Sequence, residues 1–146
     1  MDSKRIVLLA EDEENDVYMM QRAVSKMDFP VSLHVAKDGA VAIQYLSGEG
    51  KYADRALYPL PTLILLDIKM PRKNGFDVLE WLKSDGSFTN VPVVMISSSN
   101  VRSDLAKACA LGASAYLVKP VSPADLNALL TATEQFLSFN SITVAV

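Results

Sequence analysis

With 146 residues and a formal net charge of −3, the chain has the length of one domain with a full core and lacks the clustered positive charge of a nucleic-acid surface. Half of its residues are hydrophobic and 21% are charged, ordinary globular usage, and no apolar run reaches the roughly 20 residues that cross a bilayer. The opening MDSKRIVLLAEDEEN holds an apolar run too short for a signal sequence and leads straight into acids. A cytoplasmic protein is therefore expected, with no membrane and no nucleic acid as partner. The lone Cys109 excludes an internal disulfide and a cysteine zinc cluster; its expected place is the core, as a small hydrophobe.

The first element is IVLLA, 6–10, an all-apolar run of the kind that forms a strand buried on both faces. Asn15 or Asp16 can cap the helix that follows, with Val17, Met20, Val24 and Met27 at helical spacing and Pro30 as its stop. VSLHVA, 31–36, alternates, with Val31, Leu33 and Val35 on one face, which predicts a half-exposed edge strand. His34 lies on it and is expected to be a surface or structural residue. Asp38-Gly39 opens a second helix through Ala42, Ile43 and Leu46. Residues 47–61 show weak periodicity and are expected as a long loop. LILLD, 63–67, is the third strand, and Asn74-Gly75 starts a helix with Phe76, Leu79 and Leu82 inward. VPVVMIS, 91–97, is the fourth strand; 101–111 is a helix closed by Gly112; ASAYLVK, 113–119, is the fifth strand. Ser122-Pro123-Ala124-Asp125 reads as a helix start, with Leu126, Leu129, Leu130, Phe136 and Leu137 on its apolar face.

Five strand–helix repeats imply a parallel sheet covered on both faces by right-handed crossovers. Such sheets place ligands at the carboxyl ends of their strands. Those ends carry Glu11 and Asp12, then Asp67, then Ser97 to Ser99, then Lys119. Each has a plain alternative: loop solvation for Glu11 and Asp12, a helix cap for Asp67, a loop for the serines, a surface position for Lys119. Their joint occurrence favours a site. If strands one and three are neighbours, three carboxylates converge and need a cation, and a hard divalent ion such as Mg²⁺ suits oxygen ligands. A carboxylate can also attack phosphorus to give an acyl phosphate, with Lys119 and Ser97 placed to hold phosphoryl oxygens. Acyl transfer fits poorly, because no histidine or cysteine is suitably placed.

These residues resemble the receiver domain of two-component response regulators over about 4–138. The resemblance is carried by Glu11-Asp12, by LLDIKMPRKNG with Asp67 four residues before Pro71 and eight before Gly75, by VPVVMISSS, and by GASAYLVKP. It implies a flavodoxin-like (βα)5 fold with strand order 2-1-3-4-5, spanning 1–146 as a single receiver domain with a C-terminal tail at 139–146. It implies that Asp67 accepts a phosphoryl group from a sensor histidine kinase. Glu11, Asp12, Asp67 and the backbone carbonyl of Lys69 would hold Mg²⁺ or Mn²⁺. Lys119 would pair with the phosphoryl group, Ser97 and Tyr116 would act as the switch, and Lys69 and Ser99 would tune its lifetime. The Lys119-Pro120 peptide is expected to be cis.

The segment 47–61 is similar to the insertion of stand-alone regulators that serve phytochrome-type histidine kinases. With no length left for an output domain, the expected function is a phosphorylation-dependent switch acting on a downstream protein target, without turnover as an enzyme. A homodimer through helix four, strand five and helix five, or through the tail ITVAV, is a further expectation. The alternatives are a phosphorelay intermediate and an aspartate-nucleophile phosphotransferase. The latter usually has a second acid two residues after its nucleophile, where this chain has Lys69. A flavin-binding protein would need a phosphate loop after strand one, where this chain has EDEEN. A degenerate receiver used only as a scaffold would lack key residues that are present here.

Overall fold

Successive side chains of a strand point to opposite faces, so an apolar run such as Val7-Leu8-Leu9-Ala10 feeds two cores at once. The computed structural model, which describes residues 5–98 and 102–132, divides them in this way. Leu8, Ala10, Ile64, Leu66 and Met95 belong to one apolar layer, and Val7, Leu9, Leu65, Val94 and Ile96 to the other.

The strands are β1 (Arg5–Ala10), β2 (Val31–Ala36), β3 (Leu63–Asp67), β4 (Val93–Ser97) and β5 (Ala115–Val118). They form one sheet in the order β2-β1-β3-β4-β5, every pair parallel. The helices are α1 (Glu14–Ser25), α2 (Gly39–Ser47), α3 (Gly75–Asp85) and α4 (Arg102–Ala110), with a fifth, α5, over 123–132. Ala42 and Leu46 of α2, Phe76, Leu79 and Leu82 of α3 and Ala108 of α4 cover the first layer. Met20 and Ala23 of α1 and Leu126 and Leu130 of α5 cover the second. This is the flavodoxin-like arrangement the resemblance implies. Among the described residues no helix is long and apolar enough to cross a membrane.

Capping explains where most helices begin. Asn74 accepts from the Asp77 N–H and Asp77 accepts from the Asn74 N–H, both at 2.9 Å, a reciprocal capping box. Asp38 accepts from the Val41 N–H at 2.8 Å, and Ser122 Oγ accepts from the Asp125 N–H at 3.0 Å. α1 departs from expectation. It starts with Glu13 at its N-cap and no side-chain cap, so neither Asn15 nor Asp16 caps it, and Asp16 is free for another partner.

Two other expectations are corrected. Segment 47–61 contains a 3-10 helix, Gly50–Ala53. It packs Tyr52 and Tyr58 on Tyr45, with ring centroids 4.9 to 5.9 Å apart. Cys109 is exposed, because Ala108 is the residue α4 turns into the core. β2 is the half-exposed edge strand expected: Val31 and Leu33 pack against the second layer while Val35 is exposed. His34 is structural as expected, hydrogen-bonded to Ser32 Oγ at 2.9 Å with its ring 5.9 Å from Tyr45. Ser99, Phe136, Leu137 and the tail 139–146 lie outside the described residues.

Candidate functional site

The sheet ladder continues one residue past several strands, and this sets the site. The Glu11 N–H donates to the Ala36 carbonyl at 2.9 Å, Ile68 N–H to Ile96 at 3.0 Å, and Lys119 N–H to Ser97 at 2.7 Å. Glu11, Asp67 and Lys119 are thus held by backbone hydrogen bonds at the carboxyl edge of a rigid sheet. The Lys119-Pro120 peptide is cis. After Asp67 the chain turns back through Arg72, whose φ of 64° is left-handed, and the Gly75 N–H returns to the Ile68 carbonyl at 3.1 Å. Gly75 is required there. A Cβ would press on the Asp67 carbonyl oxygen and lie 2.9 Å from Met95 Cε.

Lys119 Nζ stands at the centre of the side chains. It lies 2.8 Å from Glu11 Oε1, 2.8 Å from Asp16 Oδ2 and 2.9 Å from Asp67 Oδ2. Asp67 Oδ1 accepts from the Lys69 N–H at 3.2 Å, and Glu11 Oε2 from the Glu13 N–H at 3.2 Å. Glu11 and Asp67 are buried, while Asp12 is exposed at the mouth. Burial, then a hydrogen bond shared with Asp67, pushes the Glu11 carboxyl up to about 8, against the pull of Lys119. Burial alone would lower the Lys119 ammonium, but its hydrogen bonds to Asp16, Glu11 and Asp67 outweigh this and raise it. Lys119 therefore stays charged across the physiological range.

One oxygen each from Glu11, Asp12 and Asp67 lie within 4.8 Å of one another. This all-oxygen set suits a hard cation such as Mg²⁺ or Mn²⁺. Two of the three acids are buried and share a single ammonium, so added positive charge would relieve them.

Ser97 is buried at the end of β4, the strand beside β3. Tyr116 lies on β5 opposite Met95 and packs against the layer covered by α2, α3 and α4. The Lys69 side chain is exposed; its backbone N–H is the group seen on Asp67. Asp16 is the member that sequence reading passed over. It sits in the first turn of α1, and because Asp12 lies before that helix, no helical spacing ties Asp16 to the acid pair.

This fold, with an acid pair, an aspartate and a lysine at successive strand ends, defines a class, and the comparisons agree. The response regulator receiver domain family matches residues 7–131, and the chain belongs to it. Response regulator Rcp1 of Synechocystis sp. is 30% identical over 132 residues, covering 90% of this chain and 88% of that protein. The crystal structure of the phosphorylated cyanobacterial phytochrome response regulator RcpA superposes with a TM-score of 0.77 at 31% identity, covering 92% of this chain and 94% of that one. The Mn²⁺-bound form of Rcp1 gives 0.73 at 30% identity, covering 90% and 93%.

Proposed function

We propose that Asp67 is the phosphoacceptor of a response regulator receiver domain. One observation carries this reading: a buried aspartate at a strand end, hydrogen-bonded to an ammonium and beside two further acids. A carboxylate oxygen of Asp67 attacks phosphorus, and the bond from phosphorus to the donor breaks, its electron pair leaving with the donor. With a phosphohistidine donor the broken bond is P–N and the imidazole departs. Lys119 neutralises a phosphoryl oxygen and Ser97 hydrogen-bonds another. Glu11, Asp12, Asp67 and the Lys69 carbonyl would hold Mg²⁺, which when bound screens the approach of the two anions.

The donor is a sensor histidine kinase. Similarity to RcpA, described as a phytochrome response regulator, supports one of the phytochrome type. Ser97 and Tyr116 report the phosphoryl group to the face of α4, β5 and α5, where Leu105 and Val118 are exposed. A downstream protein or a second copy of the chain docks there. Lys69 and Ser99 tune how long the phosphate lasts. The protein works as a switch without turnover. Lys69 at the position where aspartate phosphatases carry a second acid favours this over a phosphotransferase.

The test is intact-mass measurement after treatment with acetyl phosphate. The wild type is expected to gain one labile phosphoryl group only with Mg²⁺, and Asp67→Asn to gain none. A wild type that neither takes up phosphate nor binds beryllofluoride would overturn the assignment.

A further inference from the structure

An ammonium has three N–H donors and no acceptor. Glu11, Asp16 and Asp67 occupy all three donors of Lys119 at 2.8 to 2.9 Å. A phosphoryl group seated on Asp67 needs one of them, so one present partner must give way. The three differ in what that costs. The Glu11 and Asp67 side chains are 2% and 6% exposed and belong to the acid cluster that suits a cation; until a cation takes them up, stripping the ammonium from either leaves a polar group stranded in a water-poor site. The Asp16 side chain is 39% exposed. It also lies in the first turn of α1, where water and the positive end of the helix dipole can take over its charge. Its pair with Lys119 is the weakest of the three.

We propose that Asp16 is a positioning residue, the counter-ion that Lys119 releases when a phosphoryl group is seated on Asp67. Its carboxylate stabilises the unphosphorylated protein and so holds phosphorylation back. This rests on the phosphoacceptor reading of Asp67. Nothing else in the phosphoryl chemistry requires Asp16. Its place is on a helix, outside the strand ends that supply the other groups, and it acts only through Lys119.

The probe is beryllofluoride, a phosphoryl mimic, titrated calorimetrically into the full chain with Mg²⁺. Asp16→Asn and Asp16→Ala are expected to bind it about three- to fivefold more tightly than the wild type, the effect of losing a partly exposed ion pair. Asp16→Glu, which keeps the charge, is expected to stay within about twofold of the wild type. In a Lys119→Met background Asp16→Ala is expected to leave the affinity unchanged, because the shared partner is gone. A merely structural Asp16, serving the α1 dipole, would lower the melting temperature and leave beryllofluoride affinity where it was. Unchanged or weakened binding in both Asp16→Asn and Asp16→Ala, with the wild type binding normally, overturns the inference and spares Asp67. A wild type that does not bind beryllofluoride overturns both.

Discussion

Gly75 decides how closely α3 approaches the strand that carries Asp67. Its missing side chain lets the helix N-terminus fold back on the Asp67 carbonyl, and any Cβ there would meet backbone and the Met95 side chain. Backbone yields less readily than the end of a flexible side chain. Gly75→Ala is therefore expected to cost upwards of about 2 kcal/mol, read by urea unfolding. It should also displace Asp67 and slow phosphoryl uptake in whatever protein still folds. Most strand-end groups were legible as residues, because a charged or hydroxyl side chain that closes an apolar run stands out against it. Asp16 was not. Its side chain reaches the site from a helix, and the helix began earlier than its capping residues suggested, which turned Asp16 towards Lys119.

At the level of elements, the strands were legible because each is a short apolar run bounded by polar residues. Their ends were read too long at β4 and β5: the ladder begins at Val93 and Ala115. The order of the strands came from resemblance, since periodicity says nothing about neighbours. The segment 48–61 was illegible for a different reason. Its order comes from tertiary contacts made by single residues and has no repeat. Arg55 donates to the carbonyls of Tyr45, Leu46 and Tyr58 at 2.8 to 3.2 Å, tying the last turn of α2 to the segment that follows it. Tyr45 OH donates to the Pro59 carbonyl at 2.7 Å. Burial raises the Tyr45 phenol to about 12. The neutral phenol is the form the fold favours, so its contribution is complete below the ordinary tyrosine value of about 10. It is lost as pH rises through about 12. Tyr45→Phe is expected to lower stability by about 1 kcal/mol at neutral pH and to flatten the alkaline decline between those values. Urea midpoints measured across the pH series would show both.

Across the whole molecule, stability rests on the central strands. Leu65 is 1% exposed and packs against the layer under α1 and α5. Leu65→Ala is expected to cost about 2 to 5 kcal/mol, the range for emptied leucine sites. Leu105 on α4 is 47% exposed, and Leu105→Ala is expected within about 0.5 kcal/mol of the wild type. Denaturation of the two variants side by side would test whether α4 is free to present its outer face to a partner. The arrangement around Lys119 also bears on how the chain comes to life. The lysine is 52 positions from Asp67 and 103 from Asp16, so the site closes through contacts of long range in sequence. Such contacts wait on the docking of distant segments. A chain emerging from synthesis has Asp67 long before Lys119, and until β5 joins the sheet that aspartate has no ammonium beside it. With Asp67 as the proposed phosphoacceptor, a chain cut before Lys119 is expected to take up no phosphoryl group, because its aspartate lacks the ammonium that β5 brings.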